Sequence, residues 1–134
     1  MTGEPRKKPA YRRRLRATRS DELFMQMMQR VVMEKKYLDP DYSAAQLAAD
    51  LSTNTRYISA VVALHTGQNF SQFINSYRLR EACRKLRSPR YADYTAEEVG
   101  LSCGFASRQA FYLAFRKVYD VTPQQYRQQG TADP

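Results

Sequence analysis

The chain has 134 residues, 43% hydrophobic and 26% charged, which is the make-up of a globular domain and not of a disordered chain. Two cysteines and a single histidine exclude a disulfide framework, a four-ligand zinc site and most metal or acid–base chemistry. The formal charge of +9 is unevenly placed: residues 1–20 hold eight basic side chains against one acid, Glu4, while the remainder is nearly balanced.

Residues 1–20 therefore read as a disordered basic tail or linker. Such a tail attracts phosphate or an anionic membrane surface, or stays solvated. No apolar run reaches the roughly 18 residues of a membrane span, and the N-terminus lacks the apolar core of a signal peptide. A cytoplasmic, reducing setting is expected.

The first helix is expected to start at Ser20 or Asp21, either of which can cap. Leu23, Phe24, Met27, Met28, Val31 and Val32 then recur at three- and four-residue steps, one apolar face ending near Tyr37. Asp39-Pro40-Asp41 breaks it. Four later starts share one chemistry: Ser43 with Gln46, Asn69 with Gln72, Thr95 with Glu98 and Thr122 with Gln125 are capping-box pairs. Pro123 adds a proline at the first helical position. Asn54 and Ser107 can cap two more helices, which makes seven. No stretch alternates with β-branched residues, so the expected fold is all-α.

Sliding the chain against itself by 52–53 residues reveals a repeat. Leu47, Leu51 and Ser52 fall on Val99, Cys103 and Gly104. After a one-residue insertion, Asn54, Ile58, Val61, Val62 and Phe73 fall on Ser107, Phe111, Ala114, Phe115 and Tyr126. Short helix, tight turn and second helix make a helix-turn-helix unit. The first unit is expected at about 43–66 and the second at about 95–119. A linker helix at about 70–87 joins them, and a closing helix at about 122–129 precedes a short tail at 132–134.

The linker helix has two apolar sides. Phe70, Phe73, Ile74 and Tyr77 face one way, and Leu79, Ala82, Cys83 and Leu86 roughly the opposite. Its two halves are expected to serve different cores. At 1.5 Å per residue it is about 27 Å long, of the order of one DNA turn, about 34 Å.

The stretch from Tyr42 to Arg127 resembles the DNA-binding domain of the AraC/XylS family of bacterial transcription regulators. The signature is GFASRQAFYLAFRKVYDVTPQQYR, from Gly104 to Arg127, and INSYRLREACRKL, from Ile74 to Leu86, is similar to the family's linker-helix pattern. Four positions depart from the family. Ser52 and Asp120 stand where glycine is usual, Thr53 where an apolar plug is, and Gly100 where alanine is. Glycine in place of alanine within a helix costs up to about 1 kcal/mol.

The resemblance implies two helix-turn-helix units reading successive major-groove segments of double-stranded DNA, activation through RNA polymerase, and a place on the nucleoid. It puts base contacts on the outward faces of the second helix of each unit. Ile58, Val61 and Val62 are core in the first unit, and Phe111, Ala114, Phe115 and Val118 in the second. Thr55, Arg56 and Ser59, and Arg108, Gln109 and Tyr112, are the candidate base readers, because Arg pairs with guanine and Gln with adenine. Ala60 and Leu113 occupy positions where a long basic reader is frequent, which favours apolar contact or DNA shape. Candidate phosphate contacts are Asn54, Ser107 and Thr122 at helix starts, together with Arg80, Arg84 and Arg116. Arg80, Arg84 and Arg87 form a stripe that equally suits a solvated face, with Glu81 expected to pair with Lys85.

The phenylalanines fall on core faces, as do Cys83 and Cys103, which makes the cysteines inert. His65, when protonated, favours the C-terminal dipole of its helix. No cofactor or metal is implied. No nucleophile–base set, glycine-rich phosphate loop or carboxylate pair points to an enzyme. Two other readings stay open: the DNA-binding output end of a larger sensor, and a helical interaction module indifferent to DNA sequence.

Overall fold

The computed structural model describes residues 10–132, and every regular element among them is helical. In chain order these are α1 (Ala10–Met28), α2 (Ala44–Asp50), α3 (Thr55–Thr66), α4 (Phe70–Arg87), α5 (Ala96–Ser102), α6 (Arg108–Tyr119) and α7 (Pro123–Ala132). A π-helical turn, Gln29–Met33, continues α1, and 3-10 turns sit at Lys36–Leu38 and Pro89–Tyr91. None of these helices is long and apolar enough to cross a membrane.

The first helix begins at Ala10, not at Ser20. Ala10 to Arg19 contains arginines, alanines and a leucine with neither glycine nor proline, and such residues propagate a helix that has a packed segment to grow from. Ser20 lies inside α1 with its hydroxyl buried and unbonded, so it caps nothing. The half of the basic segment from Ala10 to Ser20 is thus helical, against the expectation of disorder; residues 1–9 lie outside the described residues.

The later caps form, although Ser43 and Gln46 make only the forward bond of the expected box. Asn69 with Gln72, Thr95 with Glu98 and Thr122 with Gln125 bond reciprocally at 2.8–3.1 Å. Ser43, Asn54 and Ser107 each accept one backbone N–H three residues on.

Two cores result. Leu23, Met27 and Val31 close over Leu47, Ile58, Val62 and Phe73 in one, and Leu79, Ala82 and Leu86 pack with Val99, Cys103, Phe111 and Phe115 in the other. The first half of α4 serves one core and the second half the other, as its two apolar sides require. The repeat extends to single bonds. Thr53 N–H reaches Ala48 O (2.8 Å) as Phe105 N–H reaches Gly100 O (3.4 Å), and Ser52 N–H reaches Ala49 O as Gly104 N–H reaches Leu101 O.

Two expectations about the surface fail. Val118 is 60% exposed and not core. Its counterpart in the repeat, His65, is covered by α1, where the Phe24 ring stacks on it at 4.5 Å. No described helix covers the second unit in that way. Glu81 pairs with Arg84 and not with Lys85, because Lys85 is buried, its ammonium 3.1 Å from Ser102 Oγ and over the Tyr91 ring.

Candidate nucleic-acid interface

A helix that reads a groove needs a face released from packing. In α3 the core takes Ile58, Val61 and Val62, which leaves Thr55, Arg56, Ser59, Ala60 and Ala63 exposed. Arg56 has no acidic partner among the described residues. In α6 the core takes Phe111 and Phe115, which leaves Arg108, Gln109, Leu113 and Arg116 exposed. The residues of each face recur every three or four positions, so each set lies on one side of its helix.

Arg108 and Tyr112 act as a pair. The guanidinium lies 4.7 Å above the Tyr112 ring and its Nε is 3.5 Å from Glu97 Oε2 on α5. Tyr112 is half-buried, its ring edge-on to Phe111 and its hydroxyl accepting from the Gln124 amide. Tyr112 is therefore a platform that aims Arg108 outward more than a free reader. Cation–π contact and a long ion pair orient the guanidinium without consuming its donors, and Arg108 keeps most of its surface.

The candidate phosphate contacts divide. Asn54 and Ser107 are exposed at the N-termini of α3 and α6, where free N–H groups and the helix dipole favour anions. Thr122 is half-buried at the start of α7. The three arginines of the α4 stripe are exposed, and each is engaged by its own neighbour. Arg84 is held by Glu81 through two bonds of 3.0 and 2.7 Å, which raises its pKa and lowers that of the carboxyl. Arg87 lies 4.7 Å over the Tyr126 ring and Arg80 5.0 Å over Tyr77.

Two arginines that sequence reasoning passed over hold the frame. Arg78 is buried and donates to Tyr37 O (2.7 Å) and Asp39 O (2.9 Å), tying α4 to the turn after α1. Its spacing was a signal: it lies four residues from both Ile74 and Ala82, between the two apolar sides. Arg127 donates to Tyr94 O (2.7 Å), Tyr91 O (3.2 Å) and Leu86 O (3.3 Å), which fastens α7 to the loop after α4. Together they tie α4 and the loop after it to the turn after α1 and to α7. His65 bonds Val61 O through Nδ1 (3.0 Å) and Asp21 Oδ1 through Nε2 (2.9 Å), tying α1 to the last turn of α3. Its pKa is raised, by the bond to Asp21 first and that to Val61 second. Burial pushes the Cys103 thiol up, so it stays protonated and unreactive.

Two such units, each with a capped, outward-facing second helix, define a helix-turn-helix protein. A family model described as a helix-turn-helix domain matches residues 47–129, and the chain belongs to that family. Within it, the chain is an AraC-type DNA-binding domain of a transcription regulator. It is 29% identical over 93 residues to the regulatory protein PocR of Salmonella typhimurium, covering 69% of this chain and 30% of that protein. It is 28% identical over 88 residues to the HTH-type transcriptional activator RhaS of Salmonella arizonae, covering 66% of this chain and 31% of that protein. The fold is similar to a transcriptional regulator of the AraC-type group from Chromobacterium violaceum, with a TM-score of 0.65 at 20% identity, covering 82% of this chain and 97% of that one. The chain thus spans less than a third of the length of these curated relatives.

Proposed function

We propose that this domain binds double-stranded DNA sequence-specifically, with α3 and α6 entering two successive major-groove segments, and that it acts as a transcription activator. The observation that carries the reading is the pairing of free faces. Each second helix presents an unburied arginine near its capped N-terminus, Arg56 on α3 and Arg108 on α6, on units built from the same turn. Both units pack on one 18-residue helix, α4, whose first half serves the first core and second half the second. Arg56, Arg108 and Gln109 read base edges, Thr55 and Ser59 add weaker contacts, and Asn54, Ser107, Thr122 and Arg116 meet phosphates.

RhaS is a transcriptional activator, and contact with RNA polymerase follows from the family resemblance. The relatives are more than three times as long as the stretch they share with this chain, which favours the domain being the output end of a regulator with a sensing partner. Nothing in the two faces resembles a catalytic set, and no enzymatic role is proposed.

Arg56→Ala and Arg108→Ala test the reading by separate effects. Each should cost about 1–3 kcal/mol on the preferred duplex and relax the preference at a different base pair. Thermal melts of both variants check that folding is retained. Affinity and preference unchanged in both would leave a protein-interaction module as the better account.

A further inference from the structure

A cleft of about 690 Å³ lies between the α3–α4 junction at Gly67 and the C-terminal half of α6, with α4 as its roof. Its lining includes Gln72, Asn75 and Arg80 from α4 and Lys117 and Val118 from α6, and it contains no carboxylate.

Four of its polar side chains can offer donors. Gln72 Oε1 is engaged by Asn69 N–H (3.0 Å) and Asn75 Oδ1 by Arg78 (3.3 Å), so each amide has its NH2 left to offer. With Arg80 and Lys117 the cleft presents cations and N–H donors, which suit a ligand that only accepts and is negatively charged. The exposed Val118 supplies an apolar surface in the same cleft.

The cleft adjoins the reading faces. At about 100° per residue, Lys117 sits one step around α6 from Leu113, at the edge of the free face, while Ala114 turns toward α4. A duplex lying against both faces must pass a minor groove, edged by two phosphate strands, over the space between α3 and α6.

We infer that this cleft seats the phosphodiester backbone between the two major-groove segments, with Lys117 and Arg80 as its cationic walls and Gln72 and Asn75 as neutral donors. This rests on the reading in the preceding section and adds a sequence-independent contact to it. A sugar edge meets Val118.

The test uses the full chain. Lys117→Ala and Arg80→Ala should each weaken binding to any duplex roughly fivefold at 0.15 M salt and reduce the slope of log affinity against log salt by about 1. Lys117→Arg should restore both, and thermal melts establish that the variants fold. The base preference should not change. Neutral methylphosphonate linkages placed between the two preferred blocks should weaken wild-type binding and have little further effect on Lys117→Ala. Unchanged slopes on random duplex in both alanine variants overturn the inference, whatever the sequence preference. Inorganic phosphate binding to the wild type, without any effect of the neutral linkages, would mark the cleft as a free-anion site and also overturns it. Loss of sequence preference in the wild type with the slopes behaving as stated would contradict the proposed function and leave the backbone seat standing.

Discussion

Ser52 and Gly104 hold the same place in the two turns, both with positive φ, +56° and +102°. The two sites predict opposite responses to exchange. A side chain in the left-handed region costs about 1–2 kcal/mol, so Ser52→Gly relieves strain at the first turn. Glycine's greater freedom in the unfolded chain takes back about 0.5–1 kcal/mol. The net gain is about 0.5–1 kcal/mol, or about 2–5 °C in Tm for a domain of this size. At Gly104 a Cβ would lie 2.1 Å from Tyr37 O and 2.8 Å from Arg78 Nε. Gly104→Ala must push away the Tyr37 carbonyl and break its bond to the buried Arg78 guanidinium. Losing that charged bond alone costs about 1.5–3 kcal/mol, and backbone strain adds to it. The sum of those terms is a loss of about 2.5–5 kcal/mol, and a Tm lower by about 10 °C is expected. Thermal and urea denaturation followed by circular dichroism measure both. Ser52→Gly that lowers Tm, or Gly104→Ala within about 1 kcal/mol of wild type, would refute the shared-turn geometry.

Gly100→Ala should destabilise the domain although helix propensity alone favours alanine by about 1 kcal/mol, because the new Cβ meets the Phe111 ring at 2.2–2.7 Å; a urea titration showing a gain would contradict this. His65 faces a carbonyl and a carboxylate, both acceptors, so its bonds are complete only when both nitrogens carry protons. Its raised pKa means that the added stability is full below the ordinary value of 6.5 and is lost as pH rises through the folded value. The stability advantage of wild type over Asp21→Asn should therefore shrink as pH rises above the ordinary histidine value of 6.5; an advantage that grows would contradict the assignment. Leu113 is 66% exposed on the α6 face, where the apolar feature of the major groove is the thymine methyl. Replacing thymine by deoxyuridine at one position of the preferred duplex should weaken wild type by about fourfold, the worth of a methyl group at about 0.8 kcal/mol, and leave Leu113→Ala unaffected.

The caps, the repeat and the split faces of α4 were legible because each depends on neighbours within four residues or on a shift of the chain by 52–53 residues. The start of α1 was not, since Ser20 has the chemistry of a cap and only the surrounding packing buries it. Val118 was misread for a related reason. Its periodicity is that of a core residue, but periodicity says nothing about whether a helix exists to cover it. Glycine at 100 looked like a defect of helix propensity, and the reason for it, the Phe111 ring, lies eleven residues away. The reading faces were legible as residues left over from the core, but the role of Tyr112 as a support under Arg108 needed the ring positions. Arg78 and Arg127 were hidden because their partners are backbone carbonyls more than 30 residues away.

The central claim is that α3 and α6 read DNA together. Selection of bound sequences from random duplex DNA near physiological salt tests it directly. The account predicts two short conserved blocks whose centres are about one helical turn, roughly 10 base pairs, apart. A bound pool with one block, or with no enrichment at all, would contradict it.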